Sequence, residues 1–223
     1  MHKITYFLFA IICLSGCEVD NYDPPSAPLN GRLVFENQPI GIRQGINVLQ
    51  LYQPGFENAD PIRVNVMQDG SFSSMLFEGT YKMVNIAGSG PWENNPDSIT
   101  INLSGETTVD IHVTPFFSLN DAEFSITDGI LSASCHVKNN VSGRPLENVS
   151  LFIGKTTLVD HVYRLTPSSP ESSKIASEIN MEERVILSQD LQAFENEANL
   201  FARIGVKAVG HPEMIYSTVW KIR

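Results

Sequence analysis

The sequence predicts an all-β protein made of two β-sandwich domains in tandem. Three observations carry that prediction. Short runs alternate apolar and polar residues with a period of two, Gly, Pro, Asn and Asp punctuate them at regular spacing, and a proline interrupts the alternation near the middle, at Thr114-Pro115. Leu29 to Phe35 is the first strand, and Glu36-Asn37-Gln38-Pro39 turns it. Ile46 to Tyr52 is a second strand, ended by Gln53-Pro54-Gly55. Ile62 to Met67 meets Asp69-Gly70, a pair that tolerates the left-handed backbone of a tight hairpin, and Ser71 to Phe77 returns from it. Glu78-Gly79 turns again into Tyr81 to Ile86. Ile99, Ile101 and Leu103 alternate on one face, and after Gly105 so do Val109, Ile111 and Val113.

Beyond Pro115 the pattern resumes. After Phe116 to Leu119 the strands resume with Glu123 to Thr127, followed by Ile130 to Lys138, where Leu131, Ala133, Cys135 and Val137 share one face. Cys135 is therefore expected to be a small core residue. Val149 to Ile153 follows the Ser142-Gly143-Arg144-Pro145 turn. Ala202, Ile204, Val206 and Ala208 alternate with Arg203, Gly205 and Lys207, and Tyr216 to Ile222 closes the chain. Pro167 to Asn199 is ambiguous: Ile175, Ile179 and Glu182-Glu183-Arg184 fit a short amphipathic helix, Val185-Ile186-Leu187 a strand, and Leu191 to Phe194 a helical turn.

The N-terminus has a different character. Lys3 precedes an apolar run from Ile4 to Leu14 broken only by Thr5 and Tyr6, the layout of a secretory signal. A membrane-spanning helix needs ~20 apolar residues, so this run is too short to be one. Leu14-Ser15-Gly16-Cys17 resembles the lipobox of bacterial lipoproteins, which implies a lipid on the Cys17 sulfur and a mature chain beginning there. Three acids in the seven residues from Cys17 to Asp23, then three prolines between Pro24 and Pro28, make a stiff solvated tether. That acidic patch resembles the surface-export signal of Bacteroidota lipoproteins. The expected organisation is a signal peptide over 1–16, a tether over 17–28, and sandwiches over 29–115 and 116–223.

Several pieces of the first sandwich carry a resemblance. Asn30-Gly31-Arg32-Leu33-Val34, Gln38-Pro39-Ile40, Asp69-Gly70-Ser71-Phe72, Glu78-Gly79-Thr80-Tyr81-Lys82 and Thr107-Thr108-Val109-Asp110-Ile111 together resemble the transthyretin-like, carboxypeptidase-regulatory sandwich. Such modules present or support and carry no catalytic centre. The final two strands are similar to the closing hairpin of fibronectin III and immunoglobulin-like sandwiches. With the lipobox, the whole chain resembles the DUF3823 family of Bacteroidota surface lipoproteins. That resemblance implies an outer-membrane lipoprotein facing the cell exterior, beside a glycan transporter of the starch-utilisation type.

Composition excludes other settings. Lys+Arg 15 against Asp+Glu 25 gives a net charge of -10, and residues 1–16, which hold one lysine and no acid, leave -11 when removed. A chain of that charge repels nucleic acid and anionic lipid. Cys135 is the one cysteine after Cys17, so there is no disulfide framework and no zinc cluster. The sequence holds no nucleophile elbow, no His-Glu-x-x-His, no phosphate loop and no calcium loop. His112, His136, His161 and His211 are isolated, and Glu182-Glu183 points apart, so no catalytic residue, metal or cofactor is expected.

Two loops carry aromatic rings beside amides and acids: Phe56 in Gln53-Pro54-Gly55-Phe56-Glu57-Asn58, and Trp92 in Gly90-Pro91-Trp92-Glu93-Asn94-Asn95-Pro96. A ring with a polar rim suits a sugar or a protein partner, so Trp92, Phe56, Glu93 and Asn94 are candidate ligand contacts if both loops meet at one end of the first domain. The alternative for Trp92 is an indole folded back as a cap, and Trp220 is expected to pack in the core or at an edge. Three function classes follow: an accessory lipoprotein binding oligosaccharide or the transporter, a structural or adhesive subunit with protein partners alone, and a hydrolase with an unrecognised site.

Overall fold

The structure is a computed structural model that describes residues 23–55, 60–165 and 169–223. The signal peptide, Cys17 and Phe56 lie outside the described residues. Among those described, no helix is long and apolar enough to cross a membrane. The chain is all-β, with two tandem domains.

In the first domain, β1 (Ala27–Phe35) is the central strand of one sheet. It pairs antiparallel with β2 (Gln38–Pro39) and β5 (Ser71–Leu76), and parallel with β8 (Thr107–His112). The second sheet has the order β4 (Ile62–Val64), β3 (Leu49–Tyr52), β6 (Gly79–Asn85), β7 (Ser98–Leu103). Ala27, Leu29, Gly31 and Leu33 of β1 point inward, the face period two selects. Gly31 is required by contact: a Cβ there would lie 2.1 Å from the Val109 carbonyl oxygen and 2.3 Å from the Phe72 ring. Glu36 and Asn37 both take positive φ, 50° and 62°, which builds the two-residue hairpin pairing Phe35 with Gln38.

In the second domain, one sheet has the order β13 (Val185–Asp190), β10 (Ile130–Asn139), β9 (Phe117–Thr127). The other has β12 (Ser173–Ile175), β11 (Leu146–Gly154), β14 (Phe201–Ala208) and β15 (Met214–Tyr216), with β16 (Trp220–Lys221) also on β14. Asp128 and Gly129, at φ 51° and 78°, close the β9–β10 hairpin. Cys135 is fully buried, and burial pushes its thiol up to about 12.

Four expectations need correction. The strand expected from Glu123 begins already at Phe117, bent by a bulge where Asp121 takes φ 51°. The strand expected over Ile46 to Tyr52 starts only at Leu49, because before it only the Val48 carbonyl joins the sheet, accepting from the Ile86 N–H. The segment from Pro170 to Glu178 holds no α-helix: β12 sits between the 3₁₀ turns Pro170–Ser172 and Ala176–Glu178, and the Glu178 carboxylate accepts from the Ile175 N–H. The closing strand is two pieces. Gly205 faces Tyr216 while Ala202 faces Trp220, so the chain from Tyr216 to Trp220 gains one residue over its partner and bulges outward at Ser217-Thr218-Val219.

One apolar core runs through both domains, joined at Val113, Phe116 and Phe117. The outer face of β14 carries a second, smaller cluster of Phe152, Val159, Met214 and Tyr216. That face is where the first domain docks.

Candidate functional site

The seam between the domains is built on a residue the alternation places on an outward face. Arg203 points away from the core of its own domain, yet it is 1% exposed because the first domain covers it. Its Nε donates to the Ser217 carbonyl at 2.8 Å, Nη1 to Ile42 at 3.1 Å and Nη2 to Gln68 at 2.7 Å. The guanidinium also lies over the Tyr216 ring, 4.6 Å from its centroid. Burial lowers its pKa to about 10, so it stays charged at neutral pH. Three backbone carbonyls, two of them from the other domain, thus replace its hydration.

Close backbone approach makes that geometry possible. Tyr216 N–H donates to the Gly41 carbonyl at 2.9 Å, and a Cβ at Gly41 would lie 2.4 Å from the Tyr216 carbonyl oxygen and 2.8 Å from Arg203 Nη2. Gly205 makes room in the same way, since a Cβ there would meet the Phe152 and Tyr216 rings at 2.9 Å. At the flank Arg43 forms a two-pronged ion pair with Glu213, Nε to Oε2 at 2.9 Å, and this hydrogen-bonded partner raises the arginine pKa.

Behind the seam, His161 Nδ1 and the Tyr216 hydroxyl are 2.6 Å apart, and burial pushes the tyrosine up. Burial also lowers the His161 pKa, outweighing the pull of Glu213 and Asp160. The unfolded chain then binds more protons than the folded one between the folded pKa and the ordinary value of 6.5, so stability falls as pH drops through that window. The expected result is that His161→Gln loses less stability than the parent between about pH 7.5 and 5, read from denaturant midpoints. Equal losses would count against a role for this histidine.

Beside Arg203 the seam opens into a cleft of about 660 Å³ between the two domains, within the range of small-ligand sites. One wall is Arg32, Gln38, Gln68, Asp69 and Ser71 of the first domain. The other is Leu119, Ala122 and Val219 of the second, with Thr218 at the mouth and Pro39 opposite. The bulge at Ser217-Thr218-Val219 and the Asp69-Gly70 turn shape it. A Cβ at Gly70 would meet the Ile40 carbonyl oxygen at 2.4 Å, which holds that turn tight against the β1–β2 hairpin.

Most polar groups at this wall are unspent. Asp69 Oδ1 accepts from the Ser71 N–H at 3.0 Å and hydroxyl at 2.7 Å, bonds that hold its carboxyl below the usual range, while Oδ2 has no hydrogen-bond partner among the described residues. Arg32 spends Nε and Nη2 on Asp110, at 3.3 and 3.1 Å, and leaves Nη1 open. The side chains of Gln38, Gln68 and Thr218 make no hydrogen bond among the described residues. Planar polar groups face an apolar wall, an arrangement suited to binding. Asp69 is the one carboxylate lining the cleft among the described residues, and it faces no second acid for acid–base work.

Of the candidate residues read from sequence, Trp92, Glu93 and Asn94 are among the described residues. Trp92 is 3% exposed, bridged to Pro115, with its ring so close over Gly90 that a Cβ there would lie 2.1 Å away. The Phe116 N–H donates to Pro91 and the Glu93 N–H to Thr114, so this loop buckles onto the domain junction and its indole caps the core. Glu93 and Asn94 are exposed, and the Asn94 amide oxygen accepts from the Gly88 N–H at 2.7 Å. Tyr52 faces Lys82 and Leu49 faces Asn85, so the chain leaves the sheet after Tyr52 at one end and after Asn85 at the other. Trp220 stacks on Phe124 at 5.5 Å.

His112 is exposed, His136 pairs with Asp121, and His211 packs edge-on against Phe116. Among the described residues no three His, Cys, Asp or Glu side chains are grouped to hold a metal. Sequence reasoning missed Arg203 and the cleft. The available signal was glycine within strand patterning, at Gly205 and beside β2 at Gly41, which marks close approach of another chain segment.

Comparison with known proteins fits this two-part build. Residues 27–114 match the model described as "Protein of unknown function (DUF3823) N-terminal domain", and residues 117–221 match "Domain of unknown function (DUF3823_C)". A DUF3823 family protein from Parabacteroides merdae is similar at 35% identity, covering 90% of this chain and 100% of that one, with a TM-score of 0.79. One from Bacteroides ovatus is 29% identical, covering 88% of this chain and 98% of its own, with a TM-score of 0.78. A Bacteroides uniformis protein titled "putative carbohydrate binding protein" shares the fold at 19% identity, a TM-score of 0.74 and 89% and 99% coverage. None of the curated proteins matches. Matched along both halves and over a third identical to a solved relative, the chain belongs to the DUF3823 family.

Proposed function

We propose that this protein is a non-catalytic surface lipoprotein that binds an oligosaccharide in the cleft between its two domains. The observation that carries the reading is the wall of unspent side chains, Gln38, Gln68, Asp69 and Thr218, set against Leu119, Ala122 and Val219. Amide and carboxylate planes match a sugar's hydroxyl rim, and the aliphatic side chains match its C–H face. The Bacteroides uniformis protein of the same fold, named as carbohydrate binding, supports the same class of ligand. Thioether lipid on Cys17 would hold the chain on the outer membrane, facing outward, with the tether over 17–28 as spacer. A glycan transporter of the starch-utilisation type is the partner in that setting.

The test is calorimetry against a neutral oligosaccharide panel, using the chain from Asn21 and the double variant Gln38→Ala/Thr218→Ala. Both positions are exposed, so the variant keeps its melting temperature, and binding is expected to weaken at least ~10-fold. Silence of the parent across the panel sinks the reading, and undiminished binding by the folded variant removes the cleft from it.

A further inference from the structure

Resting on that reading, we infer that the cleft selects uncharged glycans over acidic ones, with Asp69 as the anchoring acceptor for sugar hydroxyls. Both arginines that line the cleft already hold hydrogen-bond partners. Arg203 is 1% exposed and spends three donors on backbone carbonyls, and Arg32 is held in a two-pronged pair with Asp110. Among the described residues, a uronate or sulfate entering the cleft therefore finds no arginine without a partner already in place. It meets instead the ionised Asp69, whose Oδ1 is fixed by Ser71 and whose Oδ2 has no donor among the described residues.

The opposite wall works in the same direction. Leu119, Ala122 and Val219 offer no hydrogen bond to an anion that must shed water to lie against them, and stripping a charge without a partner is costly. The net charge of the whole chain, -10 with its leader, adds repulsion at a distance. A neutral sugar meets none of these penalties. Its hydroxyls donate to Asp69 Oδ2 and to the open oxygens of Gln38 and Gln68, while Arg32 Nη1 and Thr218 supply donors to its oxygens. Charge-assisted acceptance by a carboxylate is the strongest contact in that set.

The experiment pairs each neutral hexasaccharide with its acidic counterpart: mannohexaose with hexamannuronate, and galactohexaose with hexagalacturonate. Each is titrated into the parent and into Asp69→Asn. Asparagine retains the side-chain oxygen that caps the Ser71 turn, so the fold is kept. For at least one pair the neutral member is expected to bind the parent at least ~10-fold more tightly than the acidic one, with little change on adding salt. Asp69→Asn is expected to weaken neutral binding ~10-fold or more and to narrow the gap between the pair. Acidic members binding as tightly as neutral ones, or neutral binding untouched in Asp69→Asn, would overturn the inference and leave carbohydrate binding standing. Silence of the parent toward both series overturns the carbohydrate reading, and this inference falls with it.

Discussion

Replacing Arg203 by alanine is expected to lower the unfolding free energy by about 3–5 kcal/mol, the cost of breaking a buried charged hydrogen-bond set from one side. The loss does not come from the missing charge, whose burial was itself unfavourable. It comes from the carbonyls of Ser217 and Ile42, each left inside the seam without a donor at ~1–3 kcal/mol apiece before relaxation, while the Gln68 carbonyl keeps only the Ile42 N–H. The lost packing on Tyr216 adds to it. Arg203→Lys restores less than half, because an ammonium cannot span three carbonyls with a planar fork. Denaturant melts of the chain from Asn21 check this. A loss below ~1 kcal/mol for the alanine variant would show that water replaces the guanidinium and that the seam is not held by it.

Trp92→Ala is the second large effect, about 3–5 kcal/mol, and it is an effect on stability rather than on binding. The indole is 3% exposed, and its loop is pinned to the junction by the Phe116–Pro91 and Glu93–Thr114 bonds. Truncation leaves a cavity where the first domain hands over to the second, which backbone bonds on both sides prevent from collapsing. Trp92 does not line the cleft, so any oligosaccharide affinity measured below the melting range stays within ~3-fold of the parent. Unchanged stability with abolished binding would restore Trp92 as a ligand contact.

The strands were legible because period two and turn chemistry are local. Leu29 to Leu33, Leu131 to Val137 and Ala202 to Ala208 each bury the face that alternation selects. Asp69-Gly70 turns the chain where the dipeptide says, with Gly70 at φ 83°. What alternation leaves open is the environment of the outward face. Arg203 sits there by register, but its partner Ile42 is 161 residues away, and nothing local announces that a second domain will cover it. The cleft was invisible for the same reason, since Gln38, Asp69 and Thr218 converge only once the domains dock.

Trp92 shows the converse. A Pro- and Asn-rich loop reads as exposed, yet its buried ring follows from contacts with Gly90 and Pro115 that depend on tertiary closure. The helix expected near Ile175 yields to β-pairing, because Ile175 faces Asn148 on the edge of the second sheet. The closing strand's extra residue is likewise unreadable from alternation, and it shapes the mouth of the cleft.

A crystal structure of the chain from Asn21 with a bound neutral oligosaccharide tests the cleft as the binding site. The sugar is expected between the two domains, with a hydroxyl within hydrogen-bonding distance of Asp69 Oδ2 and a C–H face against Leu119 and Val219. A sugar seated on any other surface, with the cleft left open, would contradict it.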